Sequence, residues 1–214
     1  MDRDDVFGLI ALERQRVADM FEGLDETQWT ATSLCAEWNV REIAGHLVVP
    51  FCVSTPSFAL GIVTSGGFHR YSVKVARQVA SRPTNELVTL LRDNADNRFV
   101  PPASSPMAPL TDLVVHGRDV ARPLGLDASA PPGTWRAVLD FLASPRARVG
   151  FVPRGRLAGL RLVATDQEWV AGQGSELRGP SEALALAVAG RSVALTDLVG
   201  DGVPLLEARL SGAG

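Results

Sequence analysis

Cysteine is scarce in this chain: Cys35 and Cys52 are the two among 214 residues. Two thiols cannot build the dense disulfide framework of a small secreted domain. Both are expected to be reduced, small packing groups, with a ligand or redox role left open for Cys52 because it follows His46 closely. An excess of positive charge is also missing. Lys and Arg total 21 against 24 Asp and Glu, a formal net charge of −3, and no basic run offers the phosphate track that nucleic acid requires. No apolar window reaches the roughly 18 residues of a membrane span. The N-terminus, Met1-Asp2-Arg3-Asp4-Asp5, has the wrong charge for a secretory signal. A cytoplasmic protein with neither nucleic-acid nor membrane partners is expected. Disorder is excluded by a composition that is 46% hydrophobic and 21% charged.

What is present is mostly helical periodicity. Val6, Leu9, Ile10, Val17, Met20, Phe21 and Leu24 recur at helical spacing, with charged residues between them. Asn39 and Glu42 have the capping-box separation at the head of a second helix, which should end by Pro50 because proline cannot donate the next backbone bond. Pro56, Gly61, Gly66 and Gly67 make the next stretch a poor helix, although one can start at Phe68 and run to Val79. Thr84 is a plausible N-cap for a helix through Leu87, Leu91, Ala95 and Phe99, closed by Pro101 and Pro102. Pro109 suits the first turn of a helix from Leu110 to Leu124.

These segments predict an antiparallel four-helix bundle over residues 1–130, with a long crossover around Pro56 to Phe68. After Pro131 the texture changes. A short helix from Thr134 to Leu142 precedes Leu157–Thr165 and Glu168–Ala171, apolar runs that read as paired strands turning at Asp166-Gln167. Pro180 then starts an Ala- and Leu-rich helix to Ala189. The expected fold class is mainly α with a small α+β part at residues 131–214.

The segment that carries chemistry is Leu110-Thr-Asp-Leu-Val-Val-His-Gly-Arg-Asp-Val-Ala-Arg122. At about 100° per residue, Asp112, His116 and Asp119 fall on one helical stripe, while Thr111, Arg118 and Arg122 gather on an arc that suits solvent. A carboxylate and an imidazole among apolar side chains are costly unless paired or bound to a cation. Four-residue helical spacing lets two side chains grip one ion. His46, late in the second helix, is the natural third ligand if that helix packs beside the fourth. Imidazole nitrogen and carboxylate oxygen suit zinc first, with nickel or iron(II) behind. The same spacing also describes a plain side-chain pair worth a few tenths of a kcal/mol, and spacing alone leaves both readings open. Asp119 is either an acceptor that orients a ligand or a surface partner of Arg122. Arg77 and Arg82 are candidates for holding an anionic substrate. His69, beside Arg70 in a Gly-rich stretch, reads as a surface or loop residue.

Trp38-Asn-Val-Arg-Glu-Ile-Ala-Gly-His46-Leu47 and Asp112-Leu-Val-Val-His116-Gly-Arg-Asp119 resemble the two metal-binding motifs of the DinB-like, mycothiol-dependent maleylpyruvate isomerase family. The resemblance extends through Gly159–Asp166 with Trp169 and through Arg178–Arg191 to that family's small C-terminal region, which is related to sterol-carrier-like folds. It implies a DinB-like four-helix bundle, a divalent metal on His46, Asp112 and His116, and mycothiol as thiol cosubstrate. Maleylpyruvate isomerases proper place a glutamate where this chain has Asp112, one methylene shorter. The C-terminal region is expected to cover one end of the bundle or to shape the thiol's pocket.

Three protein ligands leave one zinc position open, the mark of a catalytic rather than a structural site. The activity so implied is isomerisation or S-transfer on a small electrophilic substrate, with the thiolate as nucleophile. The alternatives are a bundle merely stapled by its metal and a regulatory interaction protein. The Cys-x-x-Cys of a thiol-switched zinc regulator is missing.

Overall fold

The computed structural model describes residues 1–100 and 104–212, which divide into two compact units, Met1–Ser129 and Ala130–Gly214. The first unit contains seven helices among its described residues: α1 (Arg3–Glu22), α2 (Glu26–Thr30), α3 (Val40–Cys52), α4 (Thr55–Thr64), α5 (Phe68–Ala80), α6 (Thr84–Asp93) and α7 (Met107–Ala121). The first four open on side-chain caps. Asp2, Asp25 and Asn39 each form a full capping box with Asp5, Gln28 and Glu42, and the Ser54 hydroxyl accepts from the Ser57 N–H.

Four of these helices close a ring: α1 packs on α6 and α7, and α3 packs on the same two. This is the expected bundle. Each helix buries a stripe toward the middle, with Ile10, Val17 and Phe21 from α1, Ile43 and Leu47 from α3, Leu87 and Leu91 from α6, and Leu110 and Val114 from α7. α5 lies against the outer side of α3, and α4 against α5. One polar clasp is buried with them. The guanidinium of Arg14 donates to the carbonyls of Asn94, Ala95 and Asn97 just past the end of α6, and burial lowers its pKa to about 10.

Several boundaries differ from the sequence reading, each for a physical reason. α3 continues past Pro50 to Cys52. The missing proline N–H would have bonded the His46 carbonyl one turn back, and so near the helix end that loss is small. α4 is a helix where prolines and glycines argued against one. Pro56 falls in its first turn, where no bond is lost, and Gly61 lies under the ring of Tyr71, which a Cβ there would overlap. α6 stops at Asp93 and leaves Phe99 outside it. Pro101 and Pro102 lie outside the described residues. Thr111, assigned above to a solvent arc, is fully buried, because α7 is covered by both α1 and α3.

The second unit comprises α8 (Pro132–Leu142), β1 (Leu160–Ala164), β2 (Val170–Gly172), β3 (Ser175–Gly179), α9 (Ser181–Val188) and α10 (Gly202–Ser211), with two short 3-10 turns. β1 is central. It pairs antiparallel with β2, as the turn at Asp166-Gln167 suggested, and parallel with β3, with Leu162 opposite Ala171 on one side and Leu177 on the other. Asp166 also fixes the start of α9 by accepting from the backbone N–H and the hydroxyl of Ser181.

Candidate metal centre

α3 and α7 meet at their polar residues. His46 Nε2 lies 3.0 Å from Asp112 Oδ2, and His116 Nε2 lies 3.7 Å from Asp112 Oδ1. One ligand atom from each of these three residues falls within 4.8 Å of the others. Two imidazole nitrogens and a carboxylate so gathered fit a divalent cation of the zinc type.

The neighbours fix how the imidazoles face. His116 Nδ1 sits 2.9 Å from Asp119 Oδ2. With the proton on Nδ1 donated to that carboxylate, the lone pair of Nε2 faces Asp112 and His46. The indole of Trp38 stacks on the His46 ring, centroids 4.3 Å apart and planes 24° from parallel, and meets His116 edge-on at 5.5 Å. The two imidazoles are themselves edge-to-face at 5.0 Å. Side-chain exposure falls from 36% at Asp112 through 18% at His46 and 8% at His116 to zero at Asp119. The centre is therefore open on its Asp112 side and closed behind His116.

Local sequence explains the convergence. The Asn39–Glu42 capping box starts α3 so that Ile43 and Leu47 face the bundle and His46 sits at the edge of that stripe. Gly45 lets α3 approach α5, since a Cβ there would lie 2.8 Å from the Ala80 Cβ. On α7, Gly117 gives similar room to Val17 and Arg16 of α1.

The remaining sequence candidates divide between the centre and the surface around it. Asp119 is buried against His116 rather than set on the surface. Arg77 bonds the carboxylate of Glu42 and the carbonyl of Glu37, and Arg82 pairs with Glu86. Neither guanidinium is drawn into the donor group. Cys52, at the end of α3, has its thiol pKa pushed up by burial, and its charged neighbours are Arg82 and Glu86. His69 is exposed on α5. Sequence reasoning missed Cys35, whose sulfur, with His116 and Asp119, makes a second group of donors within 4.8 Å. It missed the role of Trp38 too, although the residue stands in the motif quoted for the family.

Residues 10–99 match the family model described as the mycothiol maleylpyruvate isomerase N-terminal domain. That span includes Trp38 and His46 and stops before Asp112. Two similar solved structures are the crystal structure of the mycothiol-dependent maleylpyruvate isomerase and that of a histidine-to-alanine mutant of it. Each covers 94% of this chain and 93% of its own, with a TM-score of 0.61 and 13% identity. At that identity the likeness is one of fold. No curated protein matches this chain by sequence.

Proposed function

We propose, from the match of residues 10–99 to the mycothiol maleylpyruvate isomerase family model, that the chain is a mycothiol-dependent isomerase whose divalent metal is held by His46, Asp112 and His116. The observation that carries this reading is the convergence of those three side chains, with the far nitrogen of His116 held by a buried carboxylate. Zinc is the first candidate for this donor set, ahead of nickel and iron(II).

A bound divalent cation would supply a Lewis acid that keeps a thiol ionised at neutral pH. The chain's own residues supply orientation. Asp119 holds the proton on His116 Nδ1, Trp38 restricts the rotation of the His46 ring, and Asp112 contributes the negative charge that offsets the cation. The partial exposure of Asp112 favours an accessible centre over a sealed staple.

The nucleophile comes from outside the chain. Cys52 lies away from the centre with a raised pKa, and the Cys35 thiol donates to Glu37. Mycothiol would supply the sulfur that adds to and then leaves a conjugated carbon, so that a cis double bond of a small electrophilic substrate can rotate. Arg77 and Arg82 are not proposed as substrate anchors, because each already faces a carboxylate. The test is a screen of the zinc-loaded protein against small cis-configured unsaturated acids, with and without mycothiol. Turnover that needs the thiol and vanishes in His116→Ala supports the reading, and thiol-independent turnover that survives in that variant contradicts it.

A further inference from the structure

The donor group missed in the sequence lies behind His116. We propose that Cys35, His116 and Asp119 form a second cation position that takes a thiophilic divalent ion and is mutually exclusive with the first. Its mutual exclusion rests on the metal reading above, whereas its existence does not.

The position is built rather than incidental. Cys35 belongs to the loop between α2 and α3, which an antiparallel bridge between Thr32 and Asn39 closes. The Leu34 N–H donates to the Asp119 carbonyl at 3.0 Å, clasping the residue before Cys35 to α7. Ser33 holds the loop from within, its hydroxyl accepting from the Cys35 N–H at 3.0 Å and donating to the Trp38 carbonyl at 2.6 Å. The Cys35 sulfur, the His116 imidazole and the Asp119 carboxylate thereby present donor atoms within 4.8 Å of one another. The thiol donates to Glu37 at 3.4 Å, a bond that a cation on the sulfur would replace.

The donor chemistry sets the selectivity. A thiolate, an imidazole and a carboxylate bind cadmium or zinc strongly and hard ions such as magnesium poorly. Binding releases the Cys35 proton to solvent. The exclusion follows from the single proton of a neutral imidazole. A cation on Nε2 of His116 leaves that proton on Nδ1, bonded to Asp119. A cation on the Asp119 side takes Nδ1 and moves the proton to Nε2, where Asp112 Oδ1 at 3.7 Å is the facing acceptor. The first position then loses a ligand, so a thiophilic ion in the second position disarms it.

The experiment is a cadmium chloride titration followed by the ultraviolet thiolate-to-cadmium charge-transfer band, with bound zinc and cadmium counted by elemental analysis. The expected result is a band saturating at one equivalent in the wild type, lost in Cys35→Ser, and kept in Cys52→Ser and Asp112→Asn, with combined zinc and cadmium at one ion per chain. No band in the wild type, or a band undiminished in Cys35→Ser, overturns the position. Loss of the band in Asp112→Asn overturns it as well, because cadmium would then need the first ligand set. Two ions held together by one chain overturn the exclusion. Failure of zinc to bind His46, Asp112 and His116 would leave the Cys35 band intact, so the two readings fail separately.

Discussion

His116 Nδ1 lies 2.9 Å from the carboxylate of Asp119, a side chain with no solvent exposure. This pair sets the direction of the candidate centre. A proton on Nδ1, donated to that carboxylate, leaves the other nitrogen facing Asp112 and His46.

Replacing Asp119 by Asn preserves volume but offers an amide that can accept from Nδ1 or donate to it, so the tautomer is no longer fixed. Zinc affinity is expected to fall about 10–100-fold, measured by competition with a chromogenic chelator. Undiminished affinity would remove Asp119 from the account.

Asp112 tests the ligand set itself. Asp112→Asn removes the charge that offsets the cation and is expected to weaken metal binding while leaving the fold intact by circular dichroism, because the side chain is partly exposed. Asp112→Glu should be tolerated, since the longer carboxylate still reaches across from α7. Wild-type affinity in Asp112→Asn would direct attention to Asp119 or Cys35 instead.

Much of this was legible in sequence. The stripes of α1 and α3 and the capping box at Asn39 gave their helices directly, and the spacing of Asp112 and His116 put both on the face of α7 that meets His46. The five-residue α2 shows too little periodicity to be seen. α4 was hidden by Pro56 and Gly61, whose sequence meaning reverses once one falls in a first turn and the other lies beneath Tyr71. β3 pairs in parallel with β1, a partnership no local pattern announces. At the site, the placement of Cys35 depends on the Leu34-to-Asp119 backbone bond, which joins loop and helix far apart in the chain. Spacing rules read one element at a time, and such contacts lie beyond them.

Packing supports the centre from outside the ring of four helices. A Cβ on Gly45 would lie 2.5 Å from the Ala76 carbonyl oxygen and 2.8 Å from the Ala80 Cβ and backbone nitrogen. Gly45→Ala must push α3 away from α5 next to His46. It is expected to cost about 1–3 kcal/mol of stability and to weaken metal binding too. Thermal unfolding and chelator competition check the two effects, and an unchanged melting temperature would contradict the close approach.

In the second unit, Arg178 and Arg161 hold the Glu176 carboxyl below its usual pKa. A carboxyl lowered in the folded state contributes stability that is present above its unfolded value near ~4.3 and is lost as pH falls through the lower folded value. Glu176→Gln should therefore flatten the acid limb of the stability profile. Denaturant unfolding at several pH values tests this, and an acid limb as steep as the wild type's would contradict it.

The central claim is that His46, Asp112 and His116 hold one divalent ion to which an external thiol binds. The most direct measurement is a titration of the cobalt-loaded Cys35→Ser protein with mycothiol, reading the thiolate-to-cobalt charge-transfer band, with His116→Ala in the same background as the comparison. The account predicts a band that saturates at one thiol per cobalt and is absent from the His116→Ala protein. No band, or an equal band in both proteins, would contradict it.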